Sequence, residues 1–281
     1  MIIKLSANRT MAKHLIVLQN GLNGFSFQMS PIKAYLETQL GDGYIVVISD
    51  VNTFHRTWEG IDLCGQRLAD FTIQTLLSYD GQIDRLSFVG HSLGGLIIRN
   101  GIERLEAMGL YEEIKPMLMV SIASPHLGIK AVKSHIKVLA RYCIGLTGQE
   151  LLLEDEPRLL EQMAKPDYTK GLARFQCRIL YANLKGDSRV SPETALMCSS
   201  LKPIENLPLD HLRMIDPKTD CQEPKEEAEL ITNLEPLGWV RKVIDLSDCF
   251  NVHNTIANKG YSEQLTVLAD LVSHFQQVDQ A

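Results

Sequence analysis

Short apolar runs alternate with helically spaced apolar positions through the first two-thirds of the chain. Residues 14–18 form a strand-type run that ends at a glycine-rich turn, and Tyr44–Ile48 is apolar throughout. A run that is apolar on both faces is typical of a central parallel strand. The same criteria predict further strands at residues 86–89, 117–122, 178–182 and 239–246, and helices at residues 31–40, 61–77, 93–108 and 263–275.

Repeated strand–helix–strand units predict an α/β fold, with a mostly parallel central sheet and helices on both faces. The alternation stops after Pro125, and residues 129–170 are predicted to be helical without strands. Residues 201–235 are polar and have no clear period, so we expect a loop insertion there. Residues 1–281 are therefore predicted to form a single domain with a helical insertion at 129–170 and a polar loop insertion at 201–235.

Composition and charge exclude several classes of function. The 281 residues are 45% apolar and 22% charged, which are ordinary globular values, and the net charge of −6 argues against a nucleic-acid-binding protein. No apolar run exceeds five residues, so no transmembrane helix is expected, and the N-terminus does not have the pattern of a secretory signal. The six scattered cysteines predict reduced thiols, a cytoplasmic location and no metal site. No cofactor is expected either.

The sharpest motif is Gly-x-Ser-x-Gly at residues 90–94. Gly90, His91, Ser92, Leu93 and Gly94 lie directly between a predicted strand and a predicted helix. A tight turn in this position needs small flanking residues, and it projects the serine hydroxyl at a helix N-terminus, where an anion is favoured. The context predicts that Ser92 is a nucleophile; the alternative is a glycine-rich turn with an incidental serine.

A nucleophilic serine needs a base that a third group orients. In folds of this type the order along the chain is serine, acid, histidine. Asp187 follows the strand at 178–182, and His253 follows the last strand, so these two are the predicted acid and base. Helical or polar surroundings, or a position too near the last strand, disfavour the competing residues Asp155, Asp167, Asp210, Asp216, Asp245, Asp248, His211 and His274.

Two further features of the site are expected around this set. His91 and His126 are predicted to line the site or to pack beside it. Catalysis at a carbonyl also needs backbone amides that stabilise an oxyanion. The predicted donors are the amides of Leu93 and of Leu22, with Gly21 allowing a close backbone approach. An ordinary β-turn at residues 20–24 is the alternative.

Together these motifs resemble the eukaryotic putative serine esterase and lipase-like family of α/β hydrolases, which includes intracellular phospholipases. The resemblance rests on residues 15–24, 90–95 and 124–128 and on the regions around Asp187 and His253, and it spans most of residues 12–275. It implies an α/β-hydrolase fold and hydrolysis of lipid or related carboxylic esters, with a lipid ester as substrate. Many lipases have histidine before the glycine where this chain has Asn20, and we expect activity to survive because backbone amides donate in either case.

Other readings of the function stay open. The same chemistry would serve a protein thioester or a small ester. A non-catalytic protein that binds lipid or a partner is a third alternative, and the complete set of Ser92, Asp187 and His253 argues against it.

Residues 129–146 form a basic amphipathic segment in an acidic protein. No acid occurs from residue 114 to 149, and hydrolases of this fold commonly insert a cap or lid here. Apolar and basic positions interleave in this segment: Ile129, Lys130, Val132, Lys133, Ile136, Lys137, Leu139, Arg141 and Cys143. One hypothesis is a lid that contacts a membrane or lipid-droplet surface peripherally. Another is a packed helix with solvated lysines, or a cover without membrane contact.

Removal of the four positive charges at Lys130, Lys133, Lys137 and Arg141 tests the membrane hypothesis. If the segment rests on anionic lipid, the charge-removal variant should bind liposomes more weakly, by about 1 kcal/mol per charge at the surface. Liposome co-sedimentation measures this, and equal binding by the variant and the wild type would refute the hypothesis.

Overall fold

The fold is that of a computed structural model. It describes residues 12–129, 143–198, 201, 212–216, 218, 221, 228–246, 249, 251–258 and 262–280.

In the part of the chain that the structure describes, seven strands form one central sheet. Their order is β2-β1-β3-β4-β5-β7-β6, and all neighbours are parallel except β6, which runs antiparallel to β7 at the edge. Next to one edge of the sheet, Val17 of β1 pairs with Val47 of β2 on one side and with Phe88 of β3 on the other. The strands are β1 (Lys13–Gln19), β2 (Tyr44–Ile48), β3 (Ile83–His91), β4 (Lys115–Ile122), β5 (Cys177–Asn183), β6 (Arg213–Met214) and β7 (Val240–Ile244).

Helices cover both faces of the sheet. In chain order they are α1 (Ser30–Leu40), α2 (Ile61–Ser78), α3 (Leu93–Ala107), α4 (Gly145–Leu152), α5 (Leu159–Gln162), α6 (Lys170–Ala173), α7 (Pro192–Leu196), α8 (Ala228–Leu234), α9 (Val252–Asn258) and α10 (Ser262–Gln280). Short 3₁₀ turns occupy Ser26–Met29, Phe54–Trp58, Leu110–Glu112 and Glu235–Leu237.

Two buried cores follow from the alternation of side chains along the strands. Leu15 and Val17 of β1 point to the face that α2 and α3 cover, and Ile16 and Leu18 point to the face that α1, α9 and α10 cover. All four side chains are fully buried. The predicted α/β fold with a mostly parallel sheet is therefore confirmed, and β1, β3, β4, β5 and β7 have their carboxyl ends at the same edge.

The region predicted as a polar loop insertion has more order than its composition suggested. Within it the structure shows β6, a bridge between Leu201 and Cys221, and α8. A two-residue strand is too short to give a periodicity, so sequence reasoning missed it. Cys198 and Cys221 form a disulfide with their Cα atoms 6.0 Å apart. The prediction of six reduced cysteines is wrong for this pair, because a separation of 23 residues carries no signal of spatial proximity.

Among the described residues, no helix is both long enough and apolar enough to cross a membrane.

The segment after β4 is attached to the body through a buried carboxylate. Glu150 on α4 is 3% exposed, and its Oε2 accepts the amide of Ile61, the first residue of α2, at 2.7 Å. Thr147 supports this contact, because its hydroxyl accepts the Gly60 amide and donates to the carbonyl of Thr57. Burial raises the pKa of Glu150 to about 7, in spite of the opposing Ile61 amide.

The turn between β3 and α3 depends on close packing of backbone atoms. A Cβ at Gly90 would lie 2.6 Å from the carbonyl carbon of Gly94, and one at Gly94 would overlap the carbonyl oxygen of Gln19 at the end of β1. Both contacts are closer than a real Cβ tolerates, so only glycine lets α3 begin against β1.

Replacement of Gly94 by Ala should destabilise the protein by about 1–3 kcal/mol, the usual cost of forcing extra volume into a packed site. Denaturant unfolding measures the change. Gly43→Ala is the matched control, because no atom lies within 4 Å of a Cβ at Gly43 and its φ is not positive. The control should be neutral or slightly stabilising, and an equally mild Gly94→Ala would contradict the packing argument.

Replacement of Glu150 by Gln should change how stability depends on pH. The folded-state pKa of Glu150 is raised from 4.5 to about 7, so its stabilising contribution is complete below pH 4.5 and is lost as pH rises through 7. The Gln side chain keeps an acceptor for Ile61 but does not titrate. The free energy of unfolding of Glu150→Gln, relative to wild type, should therefore rise by on the order of 3 kcal/mol across this window. A difference that is constant with pH would refute it.

Candidate active site

Ser92 occupies a strained turn at the carboxyl end of β3. Its φ of 56° and ψ of −128° fall in a region that non-glycine residues rarely adopt. Its amide donates to the carbonyl of Ile122 at the end of β4, at 2.9 Å, and α3 begins at the next residue. The neighbouring strand and the helix thus hold the strain, and the Ser92 side chain borders a cavity.

The structure brings the predicted acid and base together with this serine. His253 Nε2 lies 2.9 Å from Ser92 Oγ, and His253 Nδ1 lies 2.8 Å from Asp187 Oδ2. The three residues follow β3, β5 and β7, whose carboxyl ends share one edge of the sheet. Asp187 and Ser92 are separated from His253 by 66 and 161 positions in the sequence, yet both contact it directly in the structure.

Asp187 is held in its ionised form by hydrogen bonds. Its Oδ1 accepts the amides of Arg189 and Val190 at 2.9 and 3.0 Å, and its Oδ2 accepts from Asn183 Nδ2 at 3.1 Å. Burial by itself would raise the pKa of Asp187, but the hydrogen bond and charge of His253 and the two amides outweigh burial and lower the pKa below its ordinary value. The carboxylate is thus charged at neutral pH.

The ring of His91 packs against the ring of His253. The two ring centroids are 5.0 Å apart, and His91 Nε2 donates to the backbone carbonyl of His253 at 2.9 Å. Burial, and then the neighbouring His253, lower the pKa of His91 to about 3, so its ring is neutral. His91 therefore supports the backbone of His253 without competing for its proton.

A cavity of about 460 Å³ opens in front of Ser92. Leu22 and Leu93, the predicted oxyanion donors, line it together with Ser92 and His253. Leu93 is the first residue of α3, where backbone amides have no partner within the helix. The rest of the wall exposes more apolar than polar surface to the cavity. Its apolar residues are Pro125, Ile129, Ile144, Leu151 and Val190, and its polar ones are Asn23, Gln28, His91, Ser188, Arg189 and Asn254.

The loop after β1 approaches Ser92 closely enough that only glycine fits. A Cβ at Gly21 would lie 2.6 Å from the Cβ of Ser92 and 2.9 Å from the carbonyl oxygen of His91. The side chain of Asn20 fixes this loop by donating to the carbonyls of Gly21 and Asn52 at 3.0 and 2.9 Å. Asn20 therefore joins the loops after β1 and β2 and does not line the cavity.

The competing acids and histidines have other partners where the structure describes them. Asp155 accepts the amide of Leu159, Asp167 pairs with Lys170, Asp216 accepts the amide of Lys218, Asp245 pairs with Lys185, and His274 lies beside Lys242 and Asp270. Asp210, His211 and Asp248 lie outside the described residues. His126 is fully buried and contacts Ser121 and Arg99 away from the cavity lining.

A second Ser–His–Asp arrangement lies elsewhere in the protein. His14 Nε2 lies 2.7 Å from Ser87 Oγ, and His14 Nδ1 lies 3.1 Å from Asp279 Oδ1. Here the serine is in mid-strand, fully buried, and its hydroxyl accepts the amide of Leu118. This arrangement joins α10 to the sheet. Hydrogen-bond geometry alone therefore does not distinguish an active site from a structural contact.

Sequence reasoning missed the residues that position Asp187 and His253. Asn183 is the last residue of β5, and its Nδ2 donates both to Asp187 and to the carbonyl of Val252. The amides of Arg189 and Val190 complete the set. No pattern of residue types predicts these residues, because Arg189 and Val190 act through backbone amides, which every residue except proline has. Within the described ranges no three His, Cys, Asp or Glu side chains gather in a way that could hold a metal ion.

The fold has counterparts among solved structures. A monoacylglycerol lipase of Paleococcus ferrophilus aligns over 97% of this chain and 100% of its own, with a TM-score of 0.53 and 14% sequence identity. At this identity the likeness shows the fold, which is that of the α/β hydrolases.

The sequence is similar to two yeast proteins and matches a known protein family. "Putative lipase ROG1" of Saccharomyces cerevisiae is 32% identical over 236 residues, which is 79% of this chain and 32% of that protein. A second lipase-named protein of the same yeast is 32% identical over 63% of this chain and 29% of its own length. The chain thus spans about a third of the length of these relatives. Residues 9–200 match the family described as "Putative serine esterase (DUF676)". With two-thirds of its length matched, the chain belongs to this serine esterase family.

Proposed function

We propose that this protein is a serine hydrolase that cleaves carboxylic esters through Ser92, His253 and Asp187. The observation that carries the proposal is the unbroken hydrogen-bonded series from Asp187 through His253 to a strained Ser92 at the wall of a cavity. Membership of the serine esterase family supports the same reaction.

The first half of the reaction forms an acyl-enzyme. His253 Nε2 takes the proton of Ser92 Oγ as that oxygen attacks the ester carbonyl. The ionised Asp187 orients the ring through Nδ1 and stabilises the imidazolium that forms. The amides of Leu22 and Leu93 donate to the oxyanion of the tetrahedral intermediate, and the close approach at Gly21 supports this placement. His253 then protonates the departing alcohol.

The second half releases the acid by the same route. Water enters in place of the alcohol, and His253 takes its proton as the oxygen attacks the acyl carbon. A second tetrahedral intermediate forms against the same two amides, and its collapse returns the proton to Ser92 Oγ. Each proton that leaves a nucleophile is returned to a leaving oxygen, so His253 ends each cycle unchanged and no cofactor takes part in the proposed reaction.

The cavity favours a lipid ester as substrate. Its volume of about 460 Å³ lies within the range of small-molecule sites, and its wall is mostly apolar. An acyl chain gains free energy in such a site at about 25 cal/mol for each Å² of apolar surface that it buries. Similarity to lipase-named relatives supports the same substrate class.

We infer a single α/β-hydrolase domain over residues 1–281 with two insertions. Residues 129–170 would form a cap, and this proposal is supported by Ile129, Ile144 and Leu151, which contribute side chains to the cavity wall. Residues 201–235 would form the second insertion, beside β7. The peripheral lipid contact expected of residues 129–146 stays a prediction, because residues 130–142 lie outside the described ones.

A fluorophosphonate probe tests the nucleophile directly. The wild-type protein should be labelled covalently, and Ser92→Ala should not. Hydrolysis of a soluble short-chain ester should fall in parallel, by about 10⁴-fold or more for Ser92→Ala and by a similar factor for Asp187→Asn, which removes the charge that stabilises the imidazolium.

The second Ser–His–Asp arrangement supplies a matched control. Ser87→Ala breaks the contact with His14 but leaves the cavity intact, so labelling and turnover should persist in a sample whose thermal melt shows that it is folded. Labelling that survives in Ser92→Ala, or no labelling of the folded wild type, would overturn the proposal in favour of a binding protein without turnover.

A further inference from the structure

Three phenylalanine rings stack on one another at the protein surface. Phe25, Phe27 and Phe54 are 43%, 68% and 46% exposed, and the ring of Phe25 stacks on those of Phe27 and Phe54 with centroids 5.8 and 5.7 Å apart. Trp58 lies beside Phe54 at 5.8 Å. We call these four residues the aromatic rim. Exposed apolar side chains that cluster in this way differ from isolated ones, which are common on any surface.

The aromatic rim borders the opening of the cavity. Its residues lie on the loops after β1 and β2, at the edge of the sheet that also carries Ser92. Three hydrogen bonds tie the rim to residues of the cavity wall: the Phe25 amide donates to Gln28, the Phe54 amide to the carbonyl of Gly24, and Trp58 Nε1 to Asn23 at 2.5 Å. The rim therefore continues the wall outward.

Arg56 gives the aromatic rim a positive charge. Residues 20–29 on the loop after β1 contain no charged side chain, and of the two acids on the loop after β2, Glu59 is paired with Arg67 and Asp50 lies four residues before Phe54. Arg56 lies between Phe54 and Trp58, is exposed, and has no ion-pair partner among the described residues. Exposed rings beside this arginine complement a surface that is both apolar and negatively charged.

We propose that the aromatic rim docks the protein on an anionic lipid surface and aligns the cavity opening with it. The inference rests on the proposed hydrolysis of lipid esters. Phenyl and indole rings are favoured where acyl chains meet headgroups, and a nearby arginine attracts anionic lipid. A lipid surface that accepts the rim also delivers ester to the adjoining opening, whereas a protein seated at the same place would cover it.

The two tryptophans of the chain allow a test that leaves the rim intact. Trp58 belongs to the rim, and Trp239 is buried, with its Nε1 bonded to the carbonyl of Leu234. In the variant Trp239→Phe, Ser92→Ala, all tryptophan emission comes from Trp58 and turnover is absent. Addition of vesicles of phosphatidylcholine with phosphatidylserine should shift the emission to the blue, and brominated acyl chains should quench it. Unchanged emission would overturn the proposal.

Substitutions in the rim give a second, quantitative readout. In the Ser92→Ala background, Phe25→Ser with Phe27→Ser should weaken co-sedimentation with the same vesicles about tenfold, from lost apolar burial. Leu77→Ser with Leu265→Ser is the matched control, because those two leucines are similarly exposed but lie on α2 and α10, outside the rim loops. The control should bind like its parent. Arg56→Gln should weaken binding to vesicles with phosphatidylserine several-fold and leave binding to phosphatidylcholine alone unchanged.

Each of the other outcomes points away from the proposal. Equal losses in the rim and control variants would mean that the rim has no special role. If the parent is a dimer in sedimentation velocity and the rim variant is a monomer, a second copy of the chain covers the rim instead. Vesicle binding by Ser92→Ala does not depend on turnover. A failure of the docking proposal therefore remains distinguishable from a failure of the fluorophosphonate labelling.

Discussion

The contact between the turn at Ser92 and the loop after β1 is the constraint on which the rest of the site depends. Gly94 lies against the carbonyl of Gln19, and Gly21 lies against Ser92 itself, so two backbones meet where side chains would normally separate them. The hydrogen bond from the Ser92 amide to Ile122 fixes the turn from the other side. Since the sheet supplies both neighbours, the strain at Ser92 is stored in the fold, and the flanking helix begins at the point where an oxyanion would form.

The two Ser–His–Asp arrangements show what this constraint adds. The distance from His14 to Ser87 Oγ, 2.7 Å, is shorter than the 2.9 Å from His253 to Ser92 Oγ, yet Ser87 is buried in the sheet and its oxygen already accepts the amide of Leu118. Ser92 differs in its backbone conformation, in the adjoining cavity and in its position at a helix N-terminus. The environment of the serine oxygen, and not the presence of a nearby histidine, is therefore what indicates a nucleophile.

The sequence predicted those features that are local or that follow from strand order. The bounds of Tyr44–Ile48 are predicted to the residue because Gly43 precedes an unbroken apolar run and the polar Ser49 follows it, and Ser92 is identified because its motif is contiguous. Asp187 and His253 are predicted through topology, since each follows a strand whose carboxyl end must reach the same edge. Asn183, the amides that hold Asp187, and the pairing of Cys198 with Cys221 could not be found this way, because they depend on tertiary contacts between residues with no shared motif.

The loops after β1 and β2 carry both the residues that lie beside Ser92 and the aromatic rim at the surface. The loop after β1 carries Gly21 and Leu22 at the serine, Asn23 and Gly24 in the cavity wall, and Phe25 and Phe27 at the surface. Hydrogen bonds of Asn20 and Phe54 join this loop to the one after β2, so the residues at the serine and those at the surface share one bonded framework. A force on the aromatic rim would thus act on the backbone that lies against Ser92. Because Leu22 is in that backbone, the proposed lipid contact and the proposed oxyanion donor lie on one loop.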